Sequence, residues 1–201
     1  MKILILSGFL GSGKTTVLLH LAHYLVDNSE SHNQNKVVIL ENEVGEVGVD
    51  DSFIKGDGFV VEGLFSGCAC CKAAGNLLSL AWRINAEVSP EWLLIETTGI
   101  AYPHQIQASL EASLGEHSLI FIVVDVSRWQ RLRKPLEPLL KGQVEGSDLI
   151  LLNKIDLADS NTLQEVKQDI QALEPAAAIV ETEALTGIPD EIWQEALSDS
   201  V

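Results

Sequence analysis

Gly8-Phe9-Leu10-Gly11-Ser12-Gly13-Lys14-Thr15 fits the pattern G-x-x-x-x-G-K-[ST]. The apolar run Lys2–Ser7 leads into it, and Val17, Leu18, Leu21 and Leu25 follow at helical spacing. This order predicts a buried strand, a glycine turn and a helix, which is the order phosphate binding needs. Glycines let successive backbone N–H groups turn toward one anion, and the helix N-terminus adds the positive end of its dipole. Gly8, Gly11, Ser12, Gly13, Lys14, Thr15 and Thr16 are therefore the phosphate-binding candidates. Lys14 is expected to reach the β- and γ-phosphates as a point charge, and Thr15 to ligate Mg²⁺ through its hydroxyl. An ordinary strand–helix turn has no need of Lys-Thr at its end.

Outward from this turn, short apolar runs alternate with amphipathic stretches. Strands are predicted at Lys2–Ser7, Lys36–Leu40, Gly58–Val61, Glu91–Glu96, Leu119–Val126, Asp148–Leu152 and Ala178–Glu181. Most are β-branched and apolar without alternation, as in strands covered on both faces. Helices are predicted at Lys14–Val26, Cys71–Ile84, Pro103–Leu114, Ser127–Leu140, Asn161–Leu173 and Asp190–Leu197. This alternation predicts an α/β fold with a mostly parallel central sheet and helices on both faces, and with the phosphate-loop motif after the first strand the expected fold is a three-layer P-loop NTPase. Asp27–Asn35 is polar and without periodicity, a surface loop. One domain over residues 1–201 is expected.

The 201 residues are 46% apolar, with mean hydropathy +0.18, enough for a full core. Thirteen Lys and Arg stand against 29 Asp and Glu, a formal net charge of −16. A surface this acidic repels phosphate backbones and anionic lipid, which argues against a nucleic-acid binder or a peripheral membrane protein. It does not repel a metal cation or nucleotide–Mg²⁺ held in a local pocket. No apolar run reaches the ~18 residues of a membrane span. The start faintly imitates a signal peptide but runs into Gly8–Lys14 with no small-residue cleavage site. The three cysteines, crowded into four positions, are no secreted disulfide framework, so the expected compartment is the cytoplasm.

Asn153-Lys154-Ile155-Asp156 places N-K-x-D directly after a buried strand. The Asp156 carboxylate can accept from guanine N1–H and its exocyclic amine, a donor pair adenine does not present in that geometry. The Lys154 stem can cover the base face, and Asn153 can tie this loop to the phosphate loop. Ile179–Ala184 is placed to close over the base, mainly through backbone groups. Trp92–Glu96 is an apolar strand ending in a carboxylate and followed by Thr97-Thr98-Gly99. Glu96 suits Mg²⁺ held through water, with Gly99 near the γ-phosphate; the plain alternative is a solvent-exposed strand-end acid. The catalytic candidates are Lys14, Thr15 and Glu96. No Gln or His is obviously placed to position an attacking water.

Cys68, Cys70 and Cys71 form C-x-C-C. Structural zinc sites usually draw two separated ligand pairs, and no second Cys pair exists. Three thiolates leave a soft site open, suited to Zn²⁺ or Cu⁺ rather than Mg²⁺; buried free thiols and redox chemistry are the other readings. Glu41, Glu43 and Glu46 lie in a glycine-bearing acidic stretch after the second strand, which can ligate metal or be an acidic surface loop. The five scattered His read as surface or helix-face residues. Arg128, Arg131, Arg133 and Lys134 read as a solvated helix face, or as a contact for an acidic partner.

With these motifs in place the chain resembles the CobW-like P-loop GTPases, metal-chaperone GTPases related to the nickel-insertion GTPases of urease and hydrogenase. The matching stretches are GFLGSGKTT (8–16), ENEVGEVGVD (41–50), GCACC (67–71), ETTG (96–99), Gln143 through LLNKIDL (151–157) and LEPAAAIVETEALTG (173–187). The resemblance implies slow GTP hydrolysis coupled to divalent metal binding and delivery. It implies Zn²⁺ or a similar ion on Cys68, Cys70 and Cys71, with Glu41, Glu43 or Glu46 joining them or coupling metal to nucleotide. The implied partner is a client metalloprotein or apo-enzyme, and related GTPases often form homodimers. ETTG stands where ETSG is commoner. The chain stops at Val201, so the C-terminal domain of larger relatives is not expected within it. The alternative is a GTP-dependent activator of a cobalamin-dependent or other metalloenzyme, with metal only regulatory.

Overall fold

The computed structural model describes residues 1–28, 37–41, 59–63 and 71–198, with residues 62–63 and 71–76 described by backbone alone. Seven parallel strands form one sheet: β1 (Lys2–Ser7), β2 (Val37–Glu41), β3 (Phe59–Gly63), β4 (Trp92–Glu96), β5 (Ser118–Asp125), β6 (Leu149–Asn153) and β7 (Ala178–Glu181). Their order is β3-β2-β4-β1-β5-β6-β7. The sheet is parallel at every pairing, so all seven strands end at the same edge.

The described helices are α1 (Lys14–Asp27), α2 (Cys71–Glu87), α3 (Pro103–Leu114), α4 (Val126–Arg133), α5 (Glu137–Val144), α6 (Ser160–Leu173) and α7 (Asp190–Leu197). The continuous apolar strands divide between two cores, one on each sheet face. Leu4, Leu6, Val37, Ile39, Leu94, Phe121, Val123 and Leu151 pack with Val17, Leu18 and Leu21 of α1 and Trp193 of α7. Their neighbours Ile3, Ile5, Val38, Leu40, Ile95, Ile122, Val124 and Ile150 pack beneath α2 through α6, with Leu77, Leu110, Trp129, Leu140 and Ile170. The period-2 alternation of strand side chains is therefore present but hidden, because both faces are dry. Trp193, fully buried, anchors α7 beside α1.

Two differences from the sequence reading bear on the site. The helix predicted over 127–140 is two helices. Pro135 supplies no N–H to the ladder, and residues 134–136 turn between α4 and α5. Pro138 then falls in the first turn of α5, where no N–H is needed. As a result α5 runs on to Val144 and carries Gln143 on a helix. The other strands and helices lie within a few residues of their predicted bounds; β2, for instance, shifts by one residue to include Glu41 as its last position. The residues of the 27–35 loop beyond Asn28 lie outside the described ones.

Candidate functional site

A parallel sheet presents all its strand C-termini at one edge, and ligands bind there where neighbouring connections diverge. β1 is such a point: it lies between β4 and β5, α1 leaves it on one face, and the helices after β4 and β5 pack on the other. Glu41, Glu96, Asp125 and Asn153 are the last residues of β2, β4, β5 and β6, and Gly8 follows β1 directly. Glu41 is in register with Glu96, and Asp125 with Asn153.

The phosphate loop is held open by backbone conformation. Gly8, Gly11 and Gly13 have φ of 144°, 77° and 100°, the left-handed side that glycine adopts freely. Gly13 precedes α1, and a Cβ there would stand 2.5 Å from Asn153 Nδ2. At Gly8 a Cβ would collide with the Val123 carbonyl. Ser12 N–H donates to Phe9 O at 3.1 Å, closing the turn. Ser12 Oγ is buried and has no hydrogen-bond partner among the described residues. An orphaned hydroxyl inside a glycine cradle fits a phosphate group, whose oxygens would satisfy it.

Lys14 is 7% exposed and its ammonium lies 4.0 Å from Glu96 Oε1. Thr15 Oγ1 donates to the same oxygen at 3.2 Å. The three catalytic candidates from the sequence therefore meet at one point. Beyond Glu96, Thr97 Oγ1 donates to Ser7 Oγ at 2.8 Å, tying the ends of β4 and β1. Gly99 then lies against the phosphate loop, where a Cβ would stand 2.6 Å from Leu10 N.

At the other end Asn153 joins three segments. Its Nδ2 donates to Ser12 O at 2.8 Å, and its Oδ1 accepts from Ala184 N–H at 2.9 Å. Lys154 takes a left-handed backbone, φ 62°, and its ammonium donates to Gly11 O at 2.6 Å and Asp125 Oδ2 at 2.8 Å. Asp156 sits on the 3₁₀ turn Ile155–Leu157 with its side chain exposed to the cleft. A cleft of about 500 Å³ runs between the two ends, lined among others by Lys14, Thr15, Glu96, Lys154, Asp156 and Glu183. That volume suits a nucleotide-sized ligand.

Several residues here were not singled out by sequence. Asp125, 7% exposed and braced by Ser127 Oγ at 2.6 Å, fixes the Lys154 ammonium. His20, read as a helix-face residue, shares a 2.8 Å hydrogen bond with Ala184 O, so the 183–185 turn is pinned from α1 as well as from β6. Within the 179–184 stretch expected to close over the base, the Ala184 N–H donates to Asn153 Oδ1. The basic cluster is a free face only in part: Arg131 and Lys134 are exposed, and the other two are engaged. Arg128 Nη1 donates to Leu10 O at 2.8 Å and its guanidinium lies over the Phe9 ring, while Arg133 pairs with Asp169 at 2.7 Å.

Of the transition-metal candidates, Glu43, Glu46, Cys68 and Cys70 lie outside the described residues, and Cys71 is described only as the first residue of α2. Glu41 is buried at the end of β2. Among the described residues no group of three or more His, Cys, Asp or Glu could hold a metal ion, and no helix is long and apolar enough to cross a membrane.

A glycine-turned loop between a central parallel strand and a helix, facing a strand-end carboxylate and an N-K-x-D turn across a cleft, defines a P-loop nucleotide-binding domain. Residues 2–181 match the CobW/HypB/UreG nucleotide-binding domain, and the chain belongs to that family. Among curated relatives it is 31% identical to the zinc chaperone YeiR of Escherichia coli over 83% of this chain and 49% of that protein. It is 31% identical to the zinc chaperone YjiA of the same organism over 87% of this chain and 56% of that one. The zinc-regulated GTPase metalloprotein activator 1 of Dictyostelium discoideum is 29% identical over 88% of this chain and 44% of its own. The chain thus spans about half the length of the curated relatives it matches. The hydrogenase maturation factor HypB of Archaeoglobus fulgidus superposes with a TM-score of 0.69 at 23% identity, covering 100% of this chain and 90% of that one. Zn(II)-bound YjiA GTPase from E. coli superposes with a TM-score of 0.62 at 24% identity, covering 90% of this chain and 57% of that one. At these identities the structural likeness speaks for the fold.

Proposed function

We propose that the chain is a guanine-nucleotide-binding, slowly GTP-hydrolysing metallochaperone domain of the cytoplasm, which couples nucleotide state to delivery of zinc or a similar divalent metal. The observation that carries the nucleotide half is the cleft itself, with Lys14, Thr15 and Glu96 at one end and Asp156 at the other. Lys14 and the backbone of residues 8–16 bind the phosphates. Thr15 and Glu96 would hold Mg²⁺, which when bound neutralises charge on the β- and γ-phosphate oxygens. Asp156 accepts from the guanine edge, and Asp125 and Asn153 hold that turn in register with the phosphate loop. Gly99, against Leu10, is placed to feel the terminal phosphate.

The metal half rests on the Cys68, Cys70 and Cys71 trio and on the zinc-chaperone names of the relatives. In this reading metal sits on the thiolates with Glu41, Glu43 or Glu46 nearby, and a client metalloprotein or apo-enzyme receives it. A homodimer is a second partner to look for. The name of the Dictyostelium relative favours one other reading, in which metal only regulates activation of a metalloenzyme.

A zinc competition titration against a chromophoric chelator separates the two. It is run on reduced protein with GDP and with a non-hydrolysable GTP analogue, beside Cys68→Ser, Cys70→Ser and Cys71→Ser. Delivery requires an affinity shift of tenfold or more between nucleotides, about 1.4 kcal/mol of coupling, that is lost in the serine variants. Tight zinc binding at equal affinity in both states removes the release mechanism and leaves activation.

A further inference from the structure

α5 reaches the site in a way that the nucleotide chemistry above does not use. Gln143, 2% exposed, donates from Nε2 to Gly99 O at 2.9 Å. One residue earlier, Gly142 lies against the Tyr102 ring, where a Cβ would stand 2.5 Å from Cε1. α5 therefore holds the 99–102 segment at both ends, and that segment is itself turned by Ala101 N–H donating to Thr98 O at 3.1 Å. On the facing wall, Arg128 of α4 holds Leu10 O at 2.8 Å, on the same residue whose N–H side is approached by Gly99.

These contacts grip the cleft where a terminal phosphate would lie. Gly99 lies close against Leu10 of the phosphate loop, where a Cβ would stand 2.6 Å from Leu10 N, and each of the two is fixed by one side chain from the α4–α5 pair. A buried amide placed on a backbone carbonyl fixes the orientation of that peptide, and a purely apolar packing role would not need the donor.

We propose that Gln143 is a positioning residue for discrimination between nucleoside tri- and diphosphate: its amide sets where Gly99 stands against the phosphate loop. The proposal rests on the guanine-nucleotide reading above. Gln143 touches no nucleotide and acts through Gly99 alone. The diphosphate, held by residues 8–16, does not depend on it.

The test measures affinities of the chain for fluorescent GDP and for a fluorescent non-hydrolysable GTP analogue, with Mg²⁺, in the native sequence and in Gln143→Met. Methionine keeps the volume and removes the donor. The ratio of the two affinities is independent of the fraction of active protein. Should Gln143→Met fail to fold, Gln143→Leu, which also lacks the donor, is read in the same way. The expected result is a GDP affinity within about twofold of the native one and a triphosphate affinity about tenfold weaker, the scale of one buried neutral hydrogen bond. An unchanged ratio, whether both affinities fall together or neither moves, overturns the proposal and leaves Gln143 as a packing residue. Failure of the native chain to bind either guanine nucleotide overturns the underlying reading instead.

Discussion

Lys154 holds a backbone conformation that costs a non-glycine residue roughly 1–2 kcal/mol, at φ 62°. Its two partners offset that cost: Gly11 O and the Asp125 carboxylate fix an ammonium that would otherwise be mobile. The result is a rigid turn that offers Asp156 to the cleft. The N-K-x-D pattern was legible because each residue type has a distinct job. Asp125 was not, because an acid closing an apolar strand looks the same whether it faces solvent or a lysine 29 positions away. The same turn sets base choice. Asp156→Asn replaces one carboxylate acceptor by an amide donor, so it suits xanthine, which has a carbonyl where guanine has its exocyclic amine. Competition binding is expected to show guanine nucleotides weakened about 100-fold or more and xanthosine nucleotides strengthened.

Helix ends and breaks decide which side chains reach the site. Proline positions are plain in the sequence, yet apolar spacing over 127–140 carried the prediction across Pro135. The chain instead stops α4, restarts at Glu137 and so delivers Gln143 to Gly99. His20 was equally hidden, since its partner Ala184 is 164 residues distant and only tertiary packing brings α1 to that turn. α6 shows a cap that could be read locally. Asp159 accepts from Thr162 N–H at 2.7 Å, and that backbone hydrogen bond holds its carboxyl below the ordinary 3.8. A carboxyl lowered in the folded state contributes stability that is complete above its unfolded value and lost as pH falls through the folded one. Asp159→Ala is expected to lower Tm at neutral pH and to change it progressively less below pH 4, which thermal scans across acid pH would show. An equal drop at every pH would exclude the cap.

Across the whole molecule, seven parallel strands place every candidate for nucleotide binding along one edge of the sheet. The fold was legible because strands buried on both faces must read as unbroken apolar runs, and their alternation with helices leaves few topologies. Strand order and the meeting of Lys14, Thr15 and Glu96 could be seen only once distant segments were paired. The central claim is that this edge is a guanine-nucleotide site, and calorimetric titration with GTP, GDP and ATP in Mg²⁺ buffer tests it most directly. GTP and GDP are expected to bind about 100-fold or more tightly than ATP, because Asp156 is left unpaired by adenine. Equal affinity for ATP, or no guanine-nucleotide binding by folded protein, would refute it.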